Sequence, residues 1–316
     1  MELEYKSVDH VLEEVKEMTV RGGSAFGRAA ASAFLLVLEE EELLTRELLM
    51  ARFKAIAAKL LAEKPTMATI HNVVTLVTEV IKQAKQSADI QEIKTGIAIL
   101  AEKMIKHSYY ALEQLGRFGA NMVTDNDLIM IHSYSGALMS IFRYAVLQGK
   151  KFEVICTESR PLREGRYSAR ILEDLGVAVT FITDAAMWEF VQEADWVLVG
   201  ADAITYDGTV ANKMGTAMLS WLCEITQTPF FVASEIFKYN PLTRNGYQIE
   251  LEKRPRQEVI EAADFETMNH IKVVNQFFDL TPPSNIRGFI TEMGIILPAM
   301  LNNVWIELEN NLKGRE

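Results

Sequence analysis

The sequence predicts an α/β fold, a Rossmann-like parallel sheet domain preceded by an all-helical N-terminal domain. Three observations carry this. Residues 1–118 place apolar side chains at three-and-four spacing and contain no strand pattern. From residue 119 onward, short apolar runs alternate with amphipathic stretches. That alternation is the signature of a parallel sheet covered on both faces by helices.

Taken in order, helical periodicity marks residues 10–20, 25–42, 47–63 and 70–87, then one long helix from 90 to about 115. Lys64–Pro65 breaks the pattern, and Thr66 is positioned to cap the helix that follows. Residues 1–118 therefore form the helical domain and 119–316 the α/β domain. Apolar strands are expected at 128–131, 152–155, 177–182, 196–199 and 230–232. Helices are expected between them at 136–147, 166–175, 185–193 and 216–226. Residues 242–256 are polar and read as an excursion or flap. Residues 280–296 read as a last turn, a strand and a helix start.

Composition narrows the function. The 316 residues are 49% apolar and 24% charged, as in a folded protein rather than a disordered one. A net charge of −11 offers no broad basic face, which argues against nucleic acid and anionic membrane as partners. It leaves room for a local positive pocket and an anionic ligand. The two cysteines, Cys156 and Cys223, have no metal spacing and build no disulfide framework. No apolar stretch reaches the length of a membrane span, and the opening MELEYKSVDH has no signal-peptide character. A reducing cytoplasm is the expected home. His10, His71, His107 and His270 are scattered, so no metal and no cofactor is expected.

Ligands on open α/β sheets bind beyond the carboxyl ends of the strands. The richest such segment is GADAITYDGTVANKMGT at 200–216. Asp202 follows an apolar strand, and Asn212, Lys213, Gly215 and Thr216 lead into a helix. A carboxylate that accepts hydroxyls or moves a proton, beside an ammonium and a helix N-terminus, suits a phosphorylated, hydroxyl-rich small molecule. The same residues also fit a strand–turn–helix with a solvated turn. Arg21, Gly22 and Gly23 put a cation beside backbone that can approach an anion closely, or else form a helix–helix turn. His132 and Ser133 are neighbours on a strand and point to opposite faces, so they make no catalytic dyad. His132 reads as a packed, hydrogen-bonded residue, and both cysteines as small buried apolar groups.

Several blocks stand in a fixed order: RGGSAFG at 21–27, KPT at 64–66, IHSYSG at 131–136, TESRP at 157–161, GADAI and NKMGT within 200–216, SEIFK at 234–238, and FDLTPP with ITEMG within 278–294. Together they resemble the superfamily of the alpha, beta and delta subunits of translation initiation factor 2B. That superfamily also holds methylthioribose-1-phosphate isomerase and archaeal ribose-1,5-bisphosphate isomerase. The resemblance implies a ligand pocket between the two domains and a homo-oligomer, dimer or hexamer. It also implies a Cys and an Asp as the isomerases' catalytic pair. The Asp carries over onto Asp202, whereas the Cys position falls on Ser133. Phosphate and sugar contacts carry over onto Arg21, Gly22, Gly23, Ser135, Gly136, Asn212, Lys213 and Lys238, with Lys64 standing where the isomerases have Arg.

A serine hydroxyl is far less acidic than a thiol, whose reference pKa is about 8.5. Lys64 keeps a positive charge but not the bidentate fork of Arg. The serine version of the motif is closer in look to the archaeal initiation-factor-2B-like proteins. The first reading is thus a binding and regulatory protein that holds a sugar phosphate or nucleoside monophosphate, with the alpha subunit of initiation factor 2 as partner. The alternative is an aldose–ketose isomerase acting on ribose 1,5-bisphosphate or a related sugar 1-phosphate.

Overall fold

Five helices build the N-terminal part of the computed structural model, which describes residues 4–261, 263–265 and 267–315. They are α1 (Val8–Lys16), α2 (Gly23–Leu38), α3 (Arg46–Glu63), α4 (Ala68–Gln83) and α5 (Ile90–Ala120). Ser7 and Thr45 cap α1 and α3, each accepting a hydrogen bond from a backbone N–H three residues on. α3 stops where Pro65 forbids a further turn. Thr66 does not cap α4, whose N-cap is Met67. Its hydroxyl donates instead to Glu250 O at 2.7 Å and accepts from Glu252 N at 2.8 Å. The flap expected at 242–256 is thereby strapped to the α3–α4 turn.

The α/β part runs β1 (Leu128–His132), α6 (Gly136–Leu147), β2 (Glu153–Thr157), α7 (Gly165–Asp174), β3 (Ala178–Ile182), α8 (Met187–Val191) and β4 (Trp196–Val199). It continues through β5 (Ala203–Ile204), β6 (Val210–Lys213), α9 (Thr216–Thr226), β7 (Phe230–Ala233), β8 (Phe278–Thr281), β9 (Gly288–Thr291), β10 (Gly294–Ile296) and α10 (Leu301–Lys313). The main sheet has the order β10-β9-β7-β4-β1-β2-β3. All its pairings are parallel except β10 with β9. The strand order reverses between β1 and β4, so a crevice opens at their carboxyl ends. His132 lies in register with Val199 there.

Two further expectations change. β5, β6 and β8 form a second, antiparallel sheet, so Asn212 and Lys213 sit on a buried strand rather than in a solvated turn. Residues 280–296 supply parts of three strands, and the last helix starts only at Leu301, beyond Pro298. α10 then folds back onto the helical part. Trp305 packs 5.9 Å from the rings of Phe237 and Tyr239, and Lys313 pairs with Glu79 of α4 at 2.7 Å.

Alternating strand residues sort into two apolar layers. Ile129, Ile131, Val154, Cys156 and Leu198 pack with α6 and the end of α5. Met130, Ile155, Val197 and Val199 join the continuous core that contains α1 to α4. The helical part and the sheet therefore share one core, and the polar site lies at their seam.

Gly165 opens α7 so close to β2 that a β-carbon there would stand 1.8 Å from the Thr157 carbonyl oxygen. We expect Gly165→Ala to push α7 off the sheet and cost on the order of 1–3 kcal/mol. A urea unfolding curve should show a lower midpoint with an unchanged slope. A wild-type midpoint would contradict the close approach.

Candidate active site

Beyond the β1 and β4 carboxyl ends lies a narrow cavity lined by Arg21, Gly22, Lys64, Ser133, Tyr134, Glu164, Tyr167, Asp202, Asn212, Lys213, Glu252 and the Phe26, Phe277 and Phe278 rings. The space open to water inside it is about 60 Å³, roughly twice the volume one water occupies in the liquid. A sugar phosphate is larger, so entry requires a wall to move. One wall is the strap at 250–254, held by Thr66 and by a Lys64–Glu252 pair at 3.2 Å.

Local structure positions each group. Ser133 leaves β1 with φ at 70°, a left-handed conformation that is strained for a side chain with a β-carbon. It is held by its N–H donating to Ser159 Oγ at 2.7 Å and its carbonyl accepting from Ser168 Oγ at 2.9 Å. Asp202 is fixed through its backbone, donating to Ala211 O and accepting from Ala68 N. Gly22, with φ at 85°, turns the chain into α2, and no side chain caps that helix. A β-carbon on Gly23 would lie 3.2 Å from Lys238 Cε and 3.4 Å from Asp202 Oδ1. Gly23 and Lys238 thus stand directly behind Asp202, outside the lining itself. Ser135 and Gly136 start α6, a second helix without a side-chain cap, two residues past Ser133. A β-carbon on Gly136 would meet open space.

Burial dominates the electrostatics. Lys64 and Lys213 are 2% and 4% exposed, and burial pulls both ammonium groups below the ordinary lysine value. Lys213 Nζ sits 2.6 Å from Glu164 Oε1 and 3.0 Å from the centre of the Phe277 ring. Glu164 is the polar partner of Lys213 Nζ, and the second carboxylate oxygen, Glu164 Oε2, is buried without a hydrogen-bond partner. Such atoms are costly unless a ligand meets them. Burial pushes the Asp202 carboxyl up to about 6, against the pull of Lys238 and Lys213. Arg21 is exposed and stacks over Tyr167 at 4.4 Å.

Of the candidate residues, Arg21, Gly22, Lys64, Ser133, Asp202, Asn212 and Lys213 line the cavity, whereas Gly23, Ser135, Gly136 and Lys238 lie outside its lining. The N-terminus of α9, expected to attract an anion, is already filled by Asp279, which accepts from Gly215 N at 2.7 Å and Ala217 N at 3.1 Å. His132 is wholly committed, with Nε2 donating to Met214 O at 2.9 Å and Nδ1 meeting Thr157 Oγ1 at 2.7 Å. Burial holds its imidazole below the ordinary value, that is, neutral. The Cys156 and Cys223 thiols are pushed up to about 12 by burial, so neither is a nucleophile. Among the described residues no cluster could hold a metal ion. Sequence reasoning missed Glu164, Tyr167 and Glu252.

Fold and site together define an α/β protein with a narrow, cation-lined crevice at the switch point of its sheet. The chain belongs to the initiation factor 2 subunit family, whose model matches residues 19–298. It is 35% identical over 291 residues to ribose 1,5-bisphosphate isomerase of Methanocaldococcus jannaschii, covering 92% of each chain. The translation initiation factor eIF-2B of Pyrococcus horikoshii OT3 superposes with a TM-score of 0.77 at 32% identity, covering 93% of this chain and 98% of that one. The 5-methylthioribose 1-phosphate isomerase of the same organism gives 0.73 at 26% identity, covering 96% and 88%.

The raised Asp202 pKa has a stability consequence. Above pH 6 the buried carboxylate is ionised at a cost to the native state, and that cost is relieved as pH falls from about 6 towards the unfolded value of 3.8. Asp202→Asn should therefore be more stable than wild type at pH 8, by on the order of 1–3 kcal/mol, with the gain fading towards pH 4. Urea melts of both proteins at the two pH values check this. An equal difference at pH 8 and pH 4 would contradict it.

Proposed function

We propose that this chain binds a phosphorylated sugar in the cavity and isomerises it from an aldose 1-phosphate to the ketose, with ribose 1,5-bisphosphate as the substrate class. The observation that carries the reading is Asp202, a buried carboxyl group poised near neutrality in a narrow site beside Lys213 and Lys238. A general base works best when its pKa lies near the working pH. The uncapped N-termini of α2 and α6 and the buried lysines supply positions for two phosphates. The names of the relatives at about 35% identity support the same substrate class.

A sugar whose C1 oxygen carries phosphate has no free aldehyde, so it isomerises through opening of the C1–O4 ring bond. O4 gains a proton, one hydrogen moves from C2 to C1, and O2 loses its proton. Asp202 takes the C2 proton and returns it to C1. Arg21, the Gly22–Gly23 backbone, Lys64, Ser135 and Gly136 hold phosphate, while Asn212 and Lys238 orient the sugar and Asp202. Ser133 packs against the reacting carbons and orients a hydroxyl. The wall at 250–254 closes behind the substrate and excludes water.

A second reading rests on Ser133 itself. With no thiol in the cavity, the site would bind a sugar phosphate or nucleoside monophosphate without turnover and serve a translation partner such as the alpha subunit of initiation factor 2. In either reading the protein acts in the cytoplasm as a homo-oligomer. The exposed Met218, Trp221 and Ile225 on α9 supply an apolar face suited to a second copy.

The test is direct. Wild-type protein given ribose 1,5-bisphosphate should yield ribulose 1,5-bisphosphate, and Asp202→Asn should lose about 10²–10⁴-fold in kcat. Binding of the sugar by wild type without any conversion would discard the isomerase and leave the second reading.

A further inference from the structure

From Glu164 and Lys213 we infer a second proton-carrying pair, which supplies the oxygen-bound proton transfers of the isomerisation. The inference rests on the isomerase reading. Its starting point is an excess of chemistry in the cavity. Asp202 accounts for the carbon-bound hydrogen, but the reaction also needs an acid for O4 and a base for O2. His132 is committed to Thr157 and Met214, both thiols lie outside the cavity, and a serine hydroxyl is too weak an acid. Among the buried lining atoms, Glu164 Oε2 has no hydrogen-bond partner, and Lys213 Nζ has the Glu164 carboxylate as its polar contact. They belong to two different elements, β6 and the residue before α7, and Lys213 Nζ meets Glu164 Oε1 at 2.6 Å.

The balance closes on these two side chains. The ammonium of Lys213 gives a proton to O4 as the C1–O4 pair leaves C1. Loss of the C2 proton to Asp202 places that electron pair between C1 and C2. Glu164 then removes the O2 proton, the O–H pair forms the C2 carbonyl, and the C1–C2 pair takes the proton from Asp202 at C1. Transfer of the proton from Glu164 to Lys213 across their contact restores both groups. No oxidant or cofactor enters, and no net proton is gained or lost.

The surroundings favour this cycle. Burial lowers the Lys213 pKa and so eases proton release. The charged and titratable groups around the pair are Asp202 from the turn after β4, Arg254 from the strap and the imidazole of His132. The Phe277 ring against Nζ restrains the ammonium without taking a proton. Gly165 lets α7 approach the sheet closely enough to seat Glu164 in the lining.

The experiment compares wild type with Glu164→Gln, which keeps size and hydrogen bonding but takes no proton, and with Glu164→Asp. Conversion of ribose 1,5-bisphosphate is followed in D₂O, together with deuterium appearing at C2 of recovered substrate. Glu164→Gln should lose about 10²–10⁴-fold in kcat with KM little changed, while deuterium exchange at C2 outruns product formation. Glu164→Asp should recover part of the loss. A Glu164→Gln enzyme with wild-type kcat, or one altered only in KM, would overturn the inference and leave the isomerase reading standing. A wild type that converts nothing would remove both. Melting curves of each variant separate lost chemistry from lost folding, and a kcat loss matched by a melted protein, with no activity in Glu164→Asp, would count against the proton role.

Discussion

The seam between helices and sheet is governed by one constraint: it buries cations that its own acids do not fully satisfy. Lys64, Lys213 and Lys238 are each less than 5% exposed. Removing an ammonium group from water costs several kcal/mol even after relaxation. Lys64 recovers some of this from Glu252, and Lys213 from Glu164, whose second carboxylate oxygen stays buried without a hydrogen-bond partner. A site that keeps such charge out of water while leaving it partly unmet is prepared for an anion that arrives from outside.

Holding those groups together requires the rest of the fold. Asn72 of α4 donates to the carbonyls of Phe237 and Tyr239 at 2.8 Å each, and so fixes the turn that carries Lys238. Ser24 of α2 and Ser108 of α5 both donate to buried Glu235 in the same turn, and Arg28 donates to Ser108 at 3.0 Å. Thr69 donates to Gly23 O at 2.7 Å, which sets the glycine turn against Asp202. The helical part is thus more than a cover. Its polar groups aim the lysine and glycine elements at the carboxylate, and its apolar faces share the core of the sheet.

Much of this was legible in the sequence. The parallel strands read as unbroken apolar runs because both their faces are covered, and the helices showed their period plainly. That Ser133 and Asp202 line one cavity follows from their places beyond the β1 and β4 carboxyl ends, whereas Arg21 and Lys64 sit at helix ends and were tied to the site by the family resemblance. The small sheet of β5, β6 and β8 was hidden because a strand that carries Asn212 and Lys213 has the composition of a turn. Glu164 was hidden for a related reason. It stands in PLREGRYSAR, where charge reads as solvation, and only the close packing allowed by Gly165 turns it inward. Glu252 lies in a polar segment that the hydroxyl of Thr66 pins in place, a contact between residues more than 180 positions apart.

The absence of a thiol at Ser133 shifts the chemical burden onto the remaining charges, so the claim that they gather around phosphate is the one on which the account stands. A crystal structure with ribose 1,5-bisphosphate bound tests it most directly. The account predicts one phosphate against the α2 N-terminus, with Asp202 facing the C1–C2 edge of the sugar and Lys213 at charge-assisted hydrogen-bonding distance, about 2.7–2.9 Å, from a ligand oxygen. A ligand seated elsewhere on the molecule, with Lys213 still turned to Glu164 and the cavity shut, would contradict it.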